Sequence, residues 1–121
     1  MKLRMQGNSL RLRLTRSEVE NLRDKGEVSE TVKFRSGAAF IYRLQTHSGG
    51  DAVRADLAYG VISISVPTTT AERFAVSEEV GIYGYDGELR ISVEKDFRCL
   101  TRPSEEQEAD AYPNPAEQCS A

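Results

Sequence analysis

The chain of 121 residues lacks long apolar runs. No stretch approaches the ~20 consecutive apolar residues that a helix needs to cross a bilayer, so we expect no contact with a membrane. The opening segment, "MKLRMQGNSLRLRL", alternates basic and apolar side chains, which argues against a signal peptide. We therefore expect a cytoplasmic protein, a compartment in which cysteines are kept reduced.

The common catalytic signatures are also missing. Neither G-x-S-x-G nor H-E-x-x-H occurs in the sequence, and the glycine-containing stretches "HSGGD" and "YGYDG" match neither a P-loop nor a dinucleotide-binding pattern. No class of enzyme is indicated by a motif, and we expect no cofactor.

Few residues could bind a metal ion. His47, Asp96, Cys99 and Cys119 would supply the four ligands of a structural zinc site, but the cysteine spacing is not C-x-x-C and nothing in the sequence fixes these groups in space. A small enzyme built on His47, Asp96 and Cys99 is the related alternative. A disulfide between the two cysteines would close a loop of about twenty residues and stabilise the fold by ~3 kcal/mol. A reducing compartment instead favours free thiols, with Cys99 packed as a small apolar group.

Charge is unevenly distributed along the chain. The net charge is −3, but residues 1–35 carry +4 and the remaining residues carry −7. Residues 104–121 contain five acidic side chains and no basic one. The overall acidity argues against nucleic acid as a partner. The asymmetry suggests that the acidic end lies near the basic N-terminal part.

Alternating apolar and polar residues predict most of the secondary structure. This period-two pattern predicts strands at residues 2–5, 9–15, 27–34, 38–46, 52–59, 61–66, 79–85 and 88–96. Thr15 followed by Glu18 forms a capping-box pattern, which predicts a helix over residues 16–25 that ends at Gly26.

A second helix is predicted after Pro67. Residues 68–76 have helical spacing, with Thr69 or Thr70 as the expected N-cap. Asp86-Gly87 further along is a strong signal for a hairpin turn.

The order of the predicted elements repeats within the chain. "SLRLRLT", a helix, "ETVKF" and "FIYRLQ" are followed by "VISISVP", a helix, "EVGIYG" and "ELRISVEK". We predict an α+β fold, a small mainly antiparallel sheet or barrel with two short helices and a duplicated strand–helix–strand–strand unit. Coincidence in a small α+β fold is the alternative. Residues 1–100 are expected to form one domain, and residues 101–121 an acidic, proline-containing tail.

The stretch "EKDFRCL" marks the transition from the domain to the tail. We expect Phe97 and Leu100 to turn the chain back over the core, and Tyr112 with its neighbouring prolines to anchor the tail. Truncating Phe97 to alanine would then cost roughly 3–5 kcal/mol of stability if the ring were fully buried.

A basic strip is the main candidate binding site. Lys2, Arg4, Arg11 and Arg13 are expected on the solvent side of the first hairpin, as an anion- or partner-binding site. The alternative is a solvated sheet face whose charges discourage edge pairing. A third interpretation is internal, with the strip meeting acidic side chains of the tail: Glu105, Glu106, Glu108 and Asp110.

Two resemblances accompany these patterns. "GNSLRLRLTRSEVENL", "EEVGI" and "EKDFRCL…DAYPNP" resemble a small bacterial family of uncharacterised function, which implies a bacterial cytoplasmic protein of one domain and supplies no catalytic residue. Residues 61–96 resemble the swapped-hairpin unit of AbrB-type regulators, which dimerise and in many cases bind DNA through basic residues. Acidic residues outnumber basic ones in the corresponding stretch here, which argues against DNA binding.

Three functions are compatible with these observations. The first is a non-enzymatic binding or protein-interaction module, acting with a protein partner or as a homodimer. The second is a small metal-binding protein or enzyme that uses Cys99, Asp96 and His47. The third is an AbrB-like DNA-binding regulator. The absence of a catalytic motif and the uneven charge favour the first.

Overall fold

The computed structural model describes residues 1–97 and Tyr112. Two helices and eight strands follow one another in the order β1 (Lys2–Gln6), β2 (Ser9–Leu14), α1 (Arg16–Lys25), β3 (Glu27–Lys33), β4 (Ala39–His47), β5 (Arg54–Ala58), β6 (Val61–Pro67), α2 (Thr68–Val76), β7 (Gly81–Asp86) and β8 (Leu89–Lys95). The fold is α+β, as the periodicity predicted.

The strands form two four-stranded sheets. The first sheet has the order β1-β2-β8-β7, and the second has the order β3-β4-β6-β5. The central pairs, β2 with β8 and β4 with β6, are parallel, while the other neighbours are antiparallel. Neither sheet closes into a barrel within the described residues.

The duplication predicted from the sequence is confirmed by the topology. The second half of the chain repeats the element order of the first half, and each sheet combines a hairpin from each half. The first sheet joins β1–β2 to β7–β8, and the second joins β3–β4 to β5–β6. Each half therefore completes the sheet of the other.

One cluster of apolar side chains fills the space between these elements. Its members come from both sheets and both helices: Leu10, Leu12, Leu14, Val19, Leu22, Leu44, Ile62, Ile64, Val66, Ala71, Phe74, Ile82, Ile91 and Val93. Alternation along β2 and β6 sends every second residue into this cluster. Each fully buried large side chain contributes about 1.5–3 kcal/mol, so the cluster is the main source of stability.

Helix α1 begins and ends as its sequence predicts. The Glu18 amide donates to Thr15 Oγ1, and the Thr15 amide donates to Glu18 Oε1 at 2.9 Å, which completes the capping box. Gly26 ends the helix with φ at 77°, and its amide donates to the Leu22 carbonyl at 2.9 Å. Glycine suits this position because the left-handed conformation has no Cβ penalty there.

Helix α2 begins differently from the prediction. Its N-cap is Pro67, and neither Thr69 nor Thr70 caps it within the described residues. The reason is that β6 continues through Pro67, which pairs with His47, so the helix starts directly at the end of the strand. Thr68 Oγ1 donates instead to the His47 carbonyl at 3.1 Å, which ties the start of the helix to β4.

The expected closure of the fold by Phe97 is wrong. The Phe97 side chain is 63% exposed and Tyr112 is 96% exposed, so neither ring anchors the chain on the core. The inward row of β8 ends at Val93, and Phe74 of α2 already fills the adjoining space. Lys95 Nζ lies 5.0 Å from the centre of the Phe74 ring, so the last residue of β8 covers Phe74 with its charged end. Leu100 lies outside the described residues.

Candidate functional site

The four basic residues predicted as a strip lie on the outer face of the first sheet. The alternation that buries Leu12 and Leu14 sends Arg11 and Arg13 to the opposite side of β2. In the β1–β2 ladder, Lys2 lies opposite Arg13 and Arg4 lies opposite Arg11. The hairpin therefore brings the four positive charges together.

The neighbouring strands extend this surface. In the parallel ladder with β8, Ser9 pairs with Arg90 and Arg13 pairs with Glu94, and β7 places Tyr83 and Tyr85 on the same side. We call this surface the basic face; its residues are Lys2, Arg4, Arg11, Arg13, Arg90, Tyr83, Tyr85, Glu94 and Asp96. Five basic side chains and two carboxylates leave it with a net charge of +3.

Glu94 lies at the centre of the contacts within the basic face. Its carboxylate is 3.2 Å from Arg11 Nε and 3.8 Å from Arg13 Nε, and it accepts a hydrogen bond from the Tyr83 hydroxyl at 2.8 Å. These groups are partly exposed, so each ion pair stabilises the fold by no more than ~1 kcal/mol. Their main effect is to orient the two guanidinium groups.

The Tyr83 side chain folds back over Gly81. A Cβ atom at Gly81 would collide with the Tyr83 hydroxyl and ring carbons, so this ring position requires glycine at residue 81. Partial burial, together with the hydrogen bond to Glu94 and its negative charge, raises the pKa of Tyr83. The hydroxyl therefore remains a donor, and the ring, which is 52% exposed, forms a fixed aromatic surface beside the arginines.

The second sheet provides an internal comparison. Positions that match Arg11, Arg13, Tyr83 and Tyr85 in the duplicated ladders hold Ser63, Ser65, Ser29 and Thr31. Hydrogen bonds from neighbouring β4 side chains satisfy two of these hydroxyls, Arg43 to Ser63 at 3.3 Å and Gln45 to Ser65 at 3.0 Å. The outer face of the second sheet thus has small hydroxyl residues at these four positions, and its charged residues, Glu27, Lys33, Arg43, Arg54 and Asp56, sum to +1.

His47 and Asp96 lie in different sheets. His47, at the end of β4, donates from Nε2 to the Ala52 carbonyl at 2.7 Å and accepts from the Gly49 amide through Nδ1 at 3.1 Å, so both ring nitrogens are used in a turn. Asp96 follows β8 and pairs with Lys2 Nζ at 3.2 Å.

Residues 1–97 and Tyr112 contain no group of three or more histidine, cysteine, aspartate or glutamate side chains that could hold a metal ion. Cys99 and Cys119 lie outside the described residues. The metal site and the enzyme built on it remain predictions.

An open cleft of about 260 Å³ lies between α2 and β7. Its lining includes Asp51, Arg73, Glu79 and Tyr83. Arg73 Nε donates to Glu79 Oε1 at 2.9 Å, so two of the three charged side chains that line the cleft neutralise each other. This pairing leaves the cleft a weaker candidate site than the basic face.

A second polar cluster surrounds Met1. Its α-ammonium group contacts Glu18 and lies 3.2 Å from Glu30 Oε1, while the Tyr42 hydroxyl donates to the Met1 carbonyl at 3.0 Å. Burial opposes the charge on the amine, but the hydrogen bonds to Glu18 and Glu30 outweigh it and raise the pKa of Met1. Burial likewise opposes ionisation of Glu18, but Met1 and Thr15 outweigh it and lower the pKa of Glu18. This cluster joins β1, α1 and β3, and sequence patterns gave no signal for it.

The fold and the basic face define a class of protein: two mixed sheets built from a duplicated unit, with more positive charge on the outer face of the first sheet than on that of the second. The chain belongs to a family of unknown function (DUF7009), which matches residues 1–116. Membership of an uncharacterised family is therefore confirmed. No curated protein and no solved structure matches the chain. Neither α1 nor α2 is long and apolar enough to cross a membrane. The bacterial origin and the AbrB resemblance remain predictions.

Proposed function

We propose that the protein is a non-enzymatic interaction module, acting in the cytoplasm, whose basic face binds an acidic segment of a partner protein. One observation carries this proposal. Five basic side chains and two exposed tyrosines share one sheet face, whereas the matching positions of the duplicated sheet include serine and threonine. The concentration of positive charge and exposed aromatic surface on one of two related faces supports a ligand there.

The chemistry of the face suits carboxylates. Arginine presents a planar fork of donors that matches a carboxylate, and Arg11 and Arg13 already contact one in Glu94. Tyr83 and Tyr85 offer exposed ring surface of the kind that is enriched in protein interfaces. A partner segment that alternates acidic and apolar residues would use both features.

Nucleic acid fits the same face less well. A long polyanion such as DNA gains affinity from many phosphate contacts spread over a protein surface. It therefore also experiences the electrostatic field of the whole protein, which is repulsive here because the chain is net negative. The charge balance therefore favours a short acidic peptide over DNA or RNA.

Titration with a labelled probe tests the proposal. The probe is a twelve-residue peptide that alternates glutamate and leucine, and single-stranded DNA of equal charge is the competitor. We expect the peptide to bind at low salt. The double variant Arg11→Gln/Arg13→Gln should bind it about tenfold more weakly, because each substitution removes a charged hydrogen bond to the peptide and so lowers the binding free energy.

The double variant Arg43→Gln/Arg54→Gln is the matched control, since it removes the same charge from the outer face of the second sheet. It should bind as the wild type does. Equal loss in both variants would mean that net charge alone matters, and tighter binding of DNA would favour a nucleic-acid module. Either result, or no peptide binding at low salt, would overturn the proposal.

A further inference from the structure

We propose that the basic face is also occupied by an acidic segment of the same chain, residues 105–110 ("EEQEAD"), which competes there with the external acidic partner. The competition rests on the proposed function, whereas the internal contact can be measured without it. This arrangement would make the module self-inhibited, so that a partner binds only when it displaces the segment.

Charge complementarity identifies the segment. Glu105, Glu106, Glu108 and Asp110 place four carboxylates within six residues, and residues 104–121 contain no basic side chain. The basic face, with its net charge of +3, is the more positive of the two described outer sheet faces. The matching face of the second sheet has serine and threonine at four corresponding positions, and Glu27 and Asp56 offset most of its positive charge, so it attracts the segment less.

The connection from β8 delivers the segment to this face. Asp96 is the residue after β8, its amide donates to the Leu14 carbonyl at 2.8 Å, and its carboxylate pairs with Lys2 at the corner of the basic face. The continuous described part of the chain, residues 1–97, therefore ends beside the surface that the segment would bind.

The length of the intervening chain is sufficient. From Asp96 back to Arg90 the face extends over six strand residues, or ~20 Å at the usual rise per residue. Residues 98–104 can span up to ~24 Å when extended. Glu105 can thus reach every basic side chain of the face, and the following acidic residues can lie along β2 and β8.

A tethered segment has a high effective concentration at a nearby surface, of the order of millimolar for a short flexible link. Its individual contacts are exposed ion pairs, which are weak and screened by salt. The internal contact is therefore reversible, and a free peptide of similar charge can displace it.

Nuclear magnetic resonance of the full chain tests the contact. The test variant carries Glu105→Gln, Glu106→Gln, Glu108→Gln and Asp110→Asn, so the length and the folded domain are unchanged. We expect amide signals of β2 and β8 to shift in this variant, and added sodium chloride to shift the wild-type signals in the same direction. Signals of β4 and β6 report on the matching face and should stay in place. The substitution Glu117→Gln, outside the segment, should shift neither set.

The acidic peptide probe supplies the second readout. The charge-neutralised variant should bind it about tenfold more tightly than the wild type, because the internal competitor is gone. Unchanged signals in β2 and β8, or unchanged peptide affinity, would overturn the self-inhibition while leaving the proposed function intact. Shifted signals without any peptide binding would instead support the internal contact and overturn the proposed function.

Discussion

Within the basic face, a single carboxylate contacts both central arginines. Glu94 is held by Arg11, Arg13 and the Tyr83 hydroxyl, the same donors that the proposed acidic partner would use. An incoming acidic group must therefore share these donors with Glu94 or displace it. The residue orients the arginines and at the same time lowers their attraction for other anions.

The substitution Glu94→Gln separates these two effects. It removes one negative charge while the amide oxygen can still accept hydrogen bonds. We expect the acidic peptide to bind about three- to tenfold more tightly, since one repulsive charge is lost at close range. Glu88→Gln, on the exposed turn between β7 and β8, is the control and should change affinity much less. Weaker binding by Glu94→Gln would mean that orientation by Glu94 outweighs its repulsion.

Two phenylalanines with opposite environments give a second prediction at this scale. Phe74 is fully buried, and its truncation to alanine should cost about 3–5 kcal/mol. Phe97 is mostly exposed, and its truncation should cost less than ~1 kcal/mol. Urea denaturation followed by circular dichroism measures both values. A larger loss for Phe97→Ala than for Phe74→Ala would contradict the burial described for these rings.

At the scale of elements, Glu18 has two roles in α1. It completes the capping box with Thr15, and it accepts a contact from the Met1 α-ammonium. Because the pKa of the amine is raised above its ordinary value of 8.0, its contribution to stability is present below pH 8 and is lost as pH rises through the raised value. Because the pKa of Glu18 is lowered from 4.5, its contribution is lost as pH falls below that value.

The substitution Glu18→Gln tests this pairing. Glutamine also serves in a capping box, so the variant retains the helix cap and loses the ion pair. We expect the free energy of unfolding to fall by roughly 1–2 kcal/mol at pH 7. The difference from wild type should shrink as pH rises above 8 and the amine loses its proton. Glu20→Gln on the exposed side of α1 is the control, and an equal loss in both variants would exclude a special role for Glu18.

Elements were largely predictable because their signals are local. The capping box at Thr15 and the stop at Gly26 fixed α1, and strict alternation fixed β2 and β6. The cap of α2 was missed because three consecutive threonines offered candidates, while the strand before them continues through Pro67. The parallel pairing of β2 with β8 was not foreseen either, since period-two alternation identifies a buried face and not the neighbouring strand.

At the scale of the whole molecule, the sequence likewise predicts which residues of the candidate site share a face within one hairpin, but not which strands lie next to each other. Lys2, Arg4, Arg11 and Arg13 belong to one hairpin, so their shared face follows from alternation alone. The rest of the face, Arg90, Glu94 and the two tyrosines, is contributed by the second half of the chain through the β2–β8 pair. The alternation in "ELRISVEK" already places Arg90 and Glu94 on one polar side, but only the topology brings that side next to β2.

Exchange of hairpins between the halves makes folding an all-or-none property of the whole chain. The first sheet needs β7–β8 to cover β2, and the second sheet needs β5–β6 to cover β4. A peptide of residues 1–50 would therefore expose Leu12, Leu14 and Leu44, which are fully buried in the intact protein. Each half alone has two hairpins that lack their central neighbours, and isolated two-stranded hairpins are marginally stable at best.

We therefore expect peptides 1–50 and 51–97 to give circular dichroism spectra of unfolded chains, and an equimolar mixture to regain the spectrum of the intact domain. The gain arises because only the mixture can form the two parallel central pairs and bury the common apolar cluster. A mixture of 1–50 with the variant Ile64→Asp of 51–97 is the control and should stay unfolded, since Ile64 is fully buried. If either peptide alone folds cooperatively, the halves are independent units, and hairpin exchange is not what holds the protein together.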